Sequence, residues 1–173
     1  MKRGISIAKY LQPLEERTNQ VYLTNELQLA DVLEWILSQV GKAEVWQTSF
    51  SISEEFLRRL YFIEESGAVT RFSLIIDFKA TQKTLKLWPF ICQTMQDVYL
   101  ADNHSKVLLV KSEKGDTVTV LTSQNLTRGN RFESALVSTD PELFQPLHDT
   151  FMSIVREKSR PLHELYEAKL LEE

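Results

Sequence analysis

The sequence is poor in the features that would give it a specialised physical life. Its single cysteine, Cys92, excludes an internal disulfide. In LWPFICQTM that thiol has apolar neighbours and is expected to be buried rather than nucleophilic. Five glycines and five prolines among 173 residues leave no linker tract and no low-complexity segment. No apolar run reaches the roughly 18 residues of a membrane-spanning helix, so no membrane association is expected. The N-terminal MKRGISIAKYLQPLEER has basic residues but lacks the apolar core, about 7–15 residues long, of a secretory signal. A cytoplasmic location is then the default expectation. Positive charge is scarce: 20 Lys and Arg face 24 Asp and Glu, a net charge of −4, which argues against a protein that coats nucleic acid nonspecifically and leaves room for a local cationic site. No Cys/His metal constellation and no phosphate-cradling glycine loop is present, so no metal and no cofactor is expected.

What remains is ordinary globular material, 43% apolar and 25% charged. It is enough for one domain over residues 1–173, with a core at about 20–158, an N-terminal arm at 1–19 and a helical tail at 159–173. The chain alternates. VYLT (21–24) reads as a strand, and LQLADVLEWILSQV (27–40) has helical spacing and stops at Gly41. AEVWQTSFSI (43–52) is a strand; Ser53 is a helix N-cap, with Glu54 and Glu55 in the first turn and an end near Gly67. VTRFSLIIDF (69–78) has the apolar run of a strand covered on both faces. A helix over 81–95 carries Pro89, which predicts a break.

The pattern then changes to successive strands at 97–101, 104–112 and 116–123, the last two joined by the turn Glu113-Lys114-Gly115. A further strand spans 133–138. Asp140 caps a helix that begins at Pro141 and runs to about Lys158. Three βα units followed by a strand cluster predict an α/β domain: a mixed β-sheet flanked by helices on both faces.

The chemistry concentrates between residues 104 and 133. His104 and Lys106 are two apart, so on a strand both side chains share a face. An imidazole beside an ammonium group is suited to attack phosphorus, because the cation neutralises the oxygens that gather negative charge. Ser123 and Asn125 follow at the end of the next strand and can donate to phosphate oxygens. Glu133 can hold the second nitrogen of His104 and fix which one is the nucleophile. Lys106, Lys111, Lys114, Arg128 and Arg131 outnumber Glu113 and Asp116, so the segment is locally positive.

His104-Ser105-Lys106, the spacer VLLV, TSQN and the loop NLTRGNRFE together resemble the phospholipase D superfamily. Its motif is His-x-Lys, four residues, Asp, then Gly-Ser-x-Asn and a later acidic residue. The resemblance extends more weakly over residues 20–158. It implies a phospholipase D-like fold and a metal-independent phosphodiesterase, most simply an endonuclease, with a phosphohistidine intermediate. His104, Lys106, Ser123, Asn125 and Glu133 are the implied catalytic set. Two positions depart from the pattern: Lys111 stands for the aspartate, and Thr122 for the glycine, where it can narrow the phosphate pocket. Only one copy of the motif is present, while the family's centres contain two histidines. A homodimer with one composite centre between two His104 residues is therefore implied. The alternative is a module of the same fold that binds phosphate or nucleic acid without turning it over.

Other residues divide between roles. Arg128 and Arg131 are either solvated loop charges or guides for a polyanion. Thr48, Ser49 and Ser51 end the second strand on the same rim, as pocket lining or as helix-entry hydroxyls. Trp35, Trp46 and Trp88 fit core positions. His148 and His163 are expected at the surface or an interface.

Overall fold

The computed structural model describes residues 6–95 and 97–172. In chain order the elements are β1 (Asn19–Thr24), α1 (Leu29–Val40), β2 (Ala43–Ser49), α2 (Glu54–Glu65), β3 (Val69–Asp77), α3 (Thr81–Lys86), α4 (Trp88–Thr94), β4 (Asp97–Ala101), β5 (Val107–Ser112), β6 (Thr117–Thr122), β7 (Glu133–Ser138), α5 (Pro141–Lys158), β8 (Arg160–Pro161) and α6 (Leu162–Glu172).

Eight strands make one sheet in the order β1-β7-β6-β5-β2-β3-β4-β8. β2 pairs with β3, and β3 with β4, in parallel; all other neighbours are antiparallel. The parallel part is the product of the βα units, whose helical crossovers return the chain to the same end of the sheet. Short turns give the antiparallel flank, as at Gly115, whose φ of +96° suits a residue without a Cβ.

Both faces are covered, for different reasons. On one, Val32, Leu33 and Ile36 of α1 and Leu57 and Leu60 of α2 pack with Leu74, Ile76, Leu108 and Val120 in the larger core. On the other, Phe144 and Phe151 of α5 lie over Trp46, Ile75 and Leu109 in a smaller one. β3 carries Leu74, Ile75 and Ile76 into both, which explains its unbroken apolar run. Ser53 caps α2 by accepting from Phe56 N at 3.3 Å. The expected break of the 81–95 helix falls at Leu87, and Pro89 sits in the first turn of α4, where a missing N–H is harmless.

Several expectations need correction. Residues 104–106 precede β5 instead of belonging to it, because the ladder with β6 starts at Val107. Within the N-terminal arm, Ile7–Lys9 forms a 3-10 turn and Leu11 and Leu14 are buried in the larger core; residues 1–5 of that arm lie outside the described residues. The tail adds a short edge strand, β8, before its helix, and Tyr166 of α6 stacks on Trp88 at 5.3 Å. Cys92 is exposed, since Ile91 and Thr94 take the inward positions of α4. His148 is packed rather than superficial, its ring 4.5 Å from Trp46 and 5.5 Å from Phe144. Burial there pushes its pKa down. His163 is exposed.

Candidate active site

The β5–β6 hairpin holds most of the candidate residues at its open end. His104, Ser105 and Lys106 lead into β5; Ser123 and Asn125 leave β6; Thr122 N donates to Lys106 O at 3.2 Å and ties the two together. The end of β2 lies beside them, antiparallel to β5 with Thr48 opposite Val107.

A buried frame surrounds His104, which is itself exposed. Asn103, 7% exposed, accepts from Ser105 Oγ at 2.6 Å and donates through Nδ2 to Ser49 O and Ser105 O, both at 3.2 Å. Its backbone N–H donates to Asp77 Oδ2 at 2.9 Å, from the end of β3. Ser105 Oγ also lies 2.8 Å from Thr48 Oγ1, which accepts from Val107 N at 3.0 Å. His104 thus sits between two residues that are locked to each other and to β2. Its ring meets the Phe50 ring at 5.8 Å, and Lys106 Nζ donates back to His104 O at 2.8 Å.

Asn125 is fixed from the same side. Its Oδ1 accepts from Phe50 N at 3.1 Å and lies 3.3 Å from Ser49 Oγ. With the oxygen committed, the amide's NH2 is the end left to meet a ligand. Phe50 therefore touches both parts of the site: its ring the histidine, its N–H the asparagine. Between Ser123 and Asn125, Gln124 is buried; it accepts from Tyr22 OH at 2.5 Å and donates to Leu27 O at 2.9 Å. Burial pushes the Tyr22 pKa up and keeps that phenol a donor.

Glu133 takes a partner other than the one expected. Its carboxylate accepts from Ser123 Oγ, which in turn accepts from Ser134 N at 3.0 Å. Among the described residues no hydrogen bond or ion pair joins Glu133 to His104. Thr48 and Ser49, considered as pocket lining, are 5% and 0% exposed, and their hydroxyls are bonded within the protein. They hold the rim from within and add no open lining to it. Thr122 also turns inward in its bonding: its hydroxyl donates to Ser134 O at 2.9 Å and accepts from Gln124 N at 3.1 Å.

The cationic segment is split by the fold. Lys111 and Lys114 stand at the turn end of the hairpin, with Lys111 opposite Glu44 and Thr117. Lys106, Arg128 and Arg131 remain at the site end, and Arg128 Nη1 donates to Glu55 at 3.3 Å. Gln28, Gln124, Asn125, Arg128, Arg131 and Glu133 line a polar cleft of about 160 Å³ next to Asn125. The larger groove of about 970 Å³ lies by Gly115 and Trp35, at the opposite rim, away from these groups. Among the described residues, no three His, Cys, Asp or Glu side chains gather as a metal site requires.

No family model and no curated protein matches this sequence. Solved structures do. Nuc, a phospholipase D family member from Salmonella typhimurium, aligns with a TM-score of 0.64 and 15% identity over 83% of this chain and 97% of its own. The chain has the phospholipase D fold. NucT from Helicobacter pylori gives a TM-score of 0.53 at 17% identity, covering 81% of this chain and 96% of NucT. TrmBL2, described as an archaeal chromatin protein with a novel mode of DNA binding, gives 0.55 at 9% identity, over 88% of this chain and 58% of TrmBL2.

Sequence reasoning named the candidate side chains and missed their supports. Asn103, Asp77 and Gln124 hold the site together, and each had a faint signal: a polar residue at a strand end or inside a motif, where nothing local demands one.

Proposed function

We propose that this chain is a metal-independent phosphodiesterase acting on nucleic acid, with one composite centre in a homodimer. His104 of one copy attacks phosphorus, forming an N–P bond as the bond to the leaving oxygen breaks. His104 of the other copy protonates that oxygen. The same second imidazole then takes a proton from water, whose oxygen attacks the phosphohistidine and frees the first histidine. Lys106 and the Asn125 amide stabilise the phosphorane oxygens. Ser123, whose one hydroxyl proton goes to Glu133 in the free protein, redirects it to the phosphate on binding; across the dimer Glu133 is the acid available to a partner's imidazole. Arg131, with Arg128, guides the polyanion into the cleft beside Asn125.

One observation carries the reading: an exposed histidine, a lysine and an asparagine amide converge on one rim, framed by buried hydrogen bonds. The likeness to Nuc and NucT supports the same choice. The test is His104→Ala assayed on DNA, RNA and a generic phosphodiester, with the wild type also assayed in EDTA. Loss of about 10³-fold or more in the variant, with wild-type cleavage unaffected by the chelator, is expected. Unchanged cleavage by His104→Ala removes the histidine from the mechanism, and EDTA inhibition removes the metal-free route.

The likeness to TrmBL2, a protein of DNA binding, favours a second reading in which the same rim binds nucleic acid without cutting it. Salt-sensitive binding with no turnover on any of the three substrates selects it.

A further inference from the structure

Helix α5 covers only part of its side of the sheet. Beneath it lie Trp46, Ile75, Ala101 and Leu109, on β2, β3, β4 and β5. α5 also reaches β6, and past it the face carries exposed apolar side chains on β1 and the site end of β6. The register aligns Val21 of β1 with Leu136 of β7, Leu136 with Leu121 of β6, and Leu121 with Val107 of β5. Cross-strand partners share a face, so these four form one apolar row. Val21 is 72% exposed and Leu121 37%; Leu23, on the same face two residues on, is 70% exposed, and Phe132 at the site end is 72% exposed. Together they open on the order of 500 Å² of apolar surface, at the upper range of what a lone soluble protein presents.

The row leads to the site. Val107 is the residue after Lys106, so the strip begins beside the residues assigned to phosphate and runs outward to the sheet edge. Its shape is also specific. A helix rises about 10 Å above a sheet, so α5 and the strands past it form a step. Two such steps interlock about a twofold axis, each helix filling the space beside the other. α5 has apolar surface to spare for this: Leu143 is 37% exposed, and Leu147, Met152, Ile154 and Val155 are only partly buried.

We infer that the apolar strip on β1, β7 and β6 is the docking surface for a second copy of this chain, whose α5 seats on Val21, Leu23, Leu121 and Leu136. This rests on the composite-centre reading and assigns it an interface. A twofold contact of this kind uses the same patch on both partners. Strip and helix together are large enough to approach the roughly 800 Å² per partner of a stable association.

The test is Val21→Glu with Leu23→Glu, two exposed positions where charge leaves the core untouched, followed by sedimentation, circular dichroism and cleavage. The wild type is expected to be a dimer. The double variant is expected to keep its fold, dissociate at least 100-fold more readily, and lose cleavage at concentrations where it is monomeric. Leu143→Glu, on the helix side of the same contact, is expected to do likewise, and it serves if the double variant unfolds. A folded variant that remains dimeric overturns the interface while leaving the composite centre standing. A wild type that is monomeric and still cleaves overturns both. Dimerisation lost in both variants without any catalysis in the wild type upholds the interface and rejects the phosphodiesterase.

Discussion

Asn103 and Ser105 are hydrogen-bonded to each other across His104, and the same asparagine donates to Ser49 O and to Ser105 O. A catalytic imidazole on an exposed loop needs such a brace, because attack depends on orientation to within a fraction of an ångström. The candidate imidazole is exposed, and its position is set by the buried Asn103 and the hydrogen-bonded Ser105.

Asn103→Ala removes that brace and leaves Ser49 O and Ser105 O without their donor. Ser49 O is the buried one of the two, and orphaning a buried group costs about 1–3 kcal/mol. The variant is expected to melt earlier and to lose at least tenfold in kcat, with KM changed much less. Asn103→Asp, which keeps the acceptor but not the donor, is expected to fall between. Equal kcat in all three proteins at a temperature where all are folded sinks the idea.

Mixing experiments read the stoichiometry of the centre. If every centre needs two intact histidines, adding His104→Ala to wild type under exchanging conditions makes activity fall as the square of the wild-type fraction. A linear fall points to one independent histidine per chain.

Glu64 gives the protein a pH dependence far from the site. Burial raises its carboxyl to about 7, and Oε1 has no partner among the described residues. The folded state therefore holds this proton more tightly than the unfolded chain does. Stability is expected to be full below the unfolded value near 4.5 and to decline as pH rises through about 7. Discounted for partial exposure, the loss is about 1 kcal/mol. Glu64→Gln is expected to flatten that slope in urea melts between pH 5 and pH 8, ranges in which most carboxylates have finished titrating.

His148 acts in the opposite sense. Packed against Trp46 and Phe144, it has a pKa pushed below its usual 6.5 by burial. Its neutral form is favoured in the fold, so stability is expected to fall as pH drops from 6.5 toward the lowered value. Asp149, Glu44 and Lys111 are the charged groups acting on it. His148→Phe is expected to remove this acid sensitivity, measured by thermal melts at pH 5 and pH 7.5 with cleavage unchanged at neutral pH.

The architecture was legible because its signals are local. Ser53 and Asp140 cap helices, Gly41 and Gly115 adopt positive φ, and Pro89 splits a helix, each as the side chain requires. The nearly continuous apolar run within 69–78 identified a strand covered on both faces. Errors came where distant contacts decide. His104 reads as strand by alternation, yet β6 offers its ladder only from Val107 onward. Cys92 has apolar neighbours in sequence, but helical geometry turns it outward. Glu133 has the right spacing for a histidine partner, while Ser123 donates to its carboxylate in the folded chain. Such preferences belong to the assembled sheet and leave no mark on a short window of residues.

The hairpin that bears the candidate site residues turns back at Gly115, on the rim farthest from them. Lengthening of a surface turn is energetically mild. Extra sequence spliced in at Lys114-Gly115, be it a label or an entire foreign module, would hang from the molecule's underside and leave the working edge unobstructed.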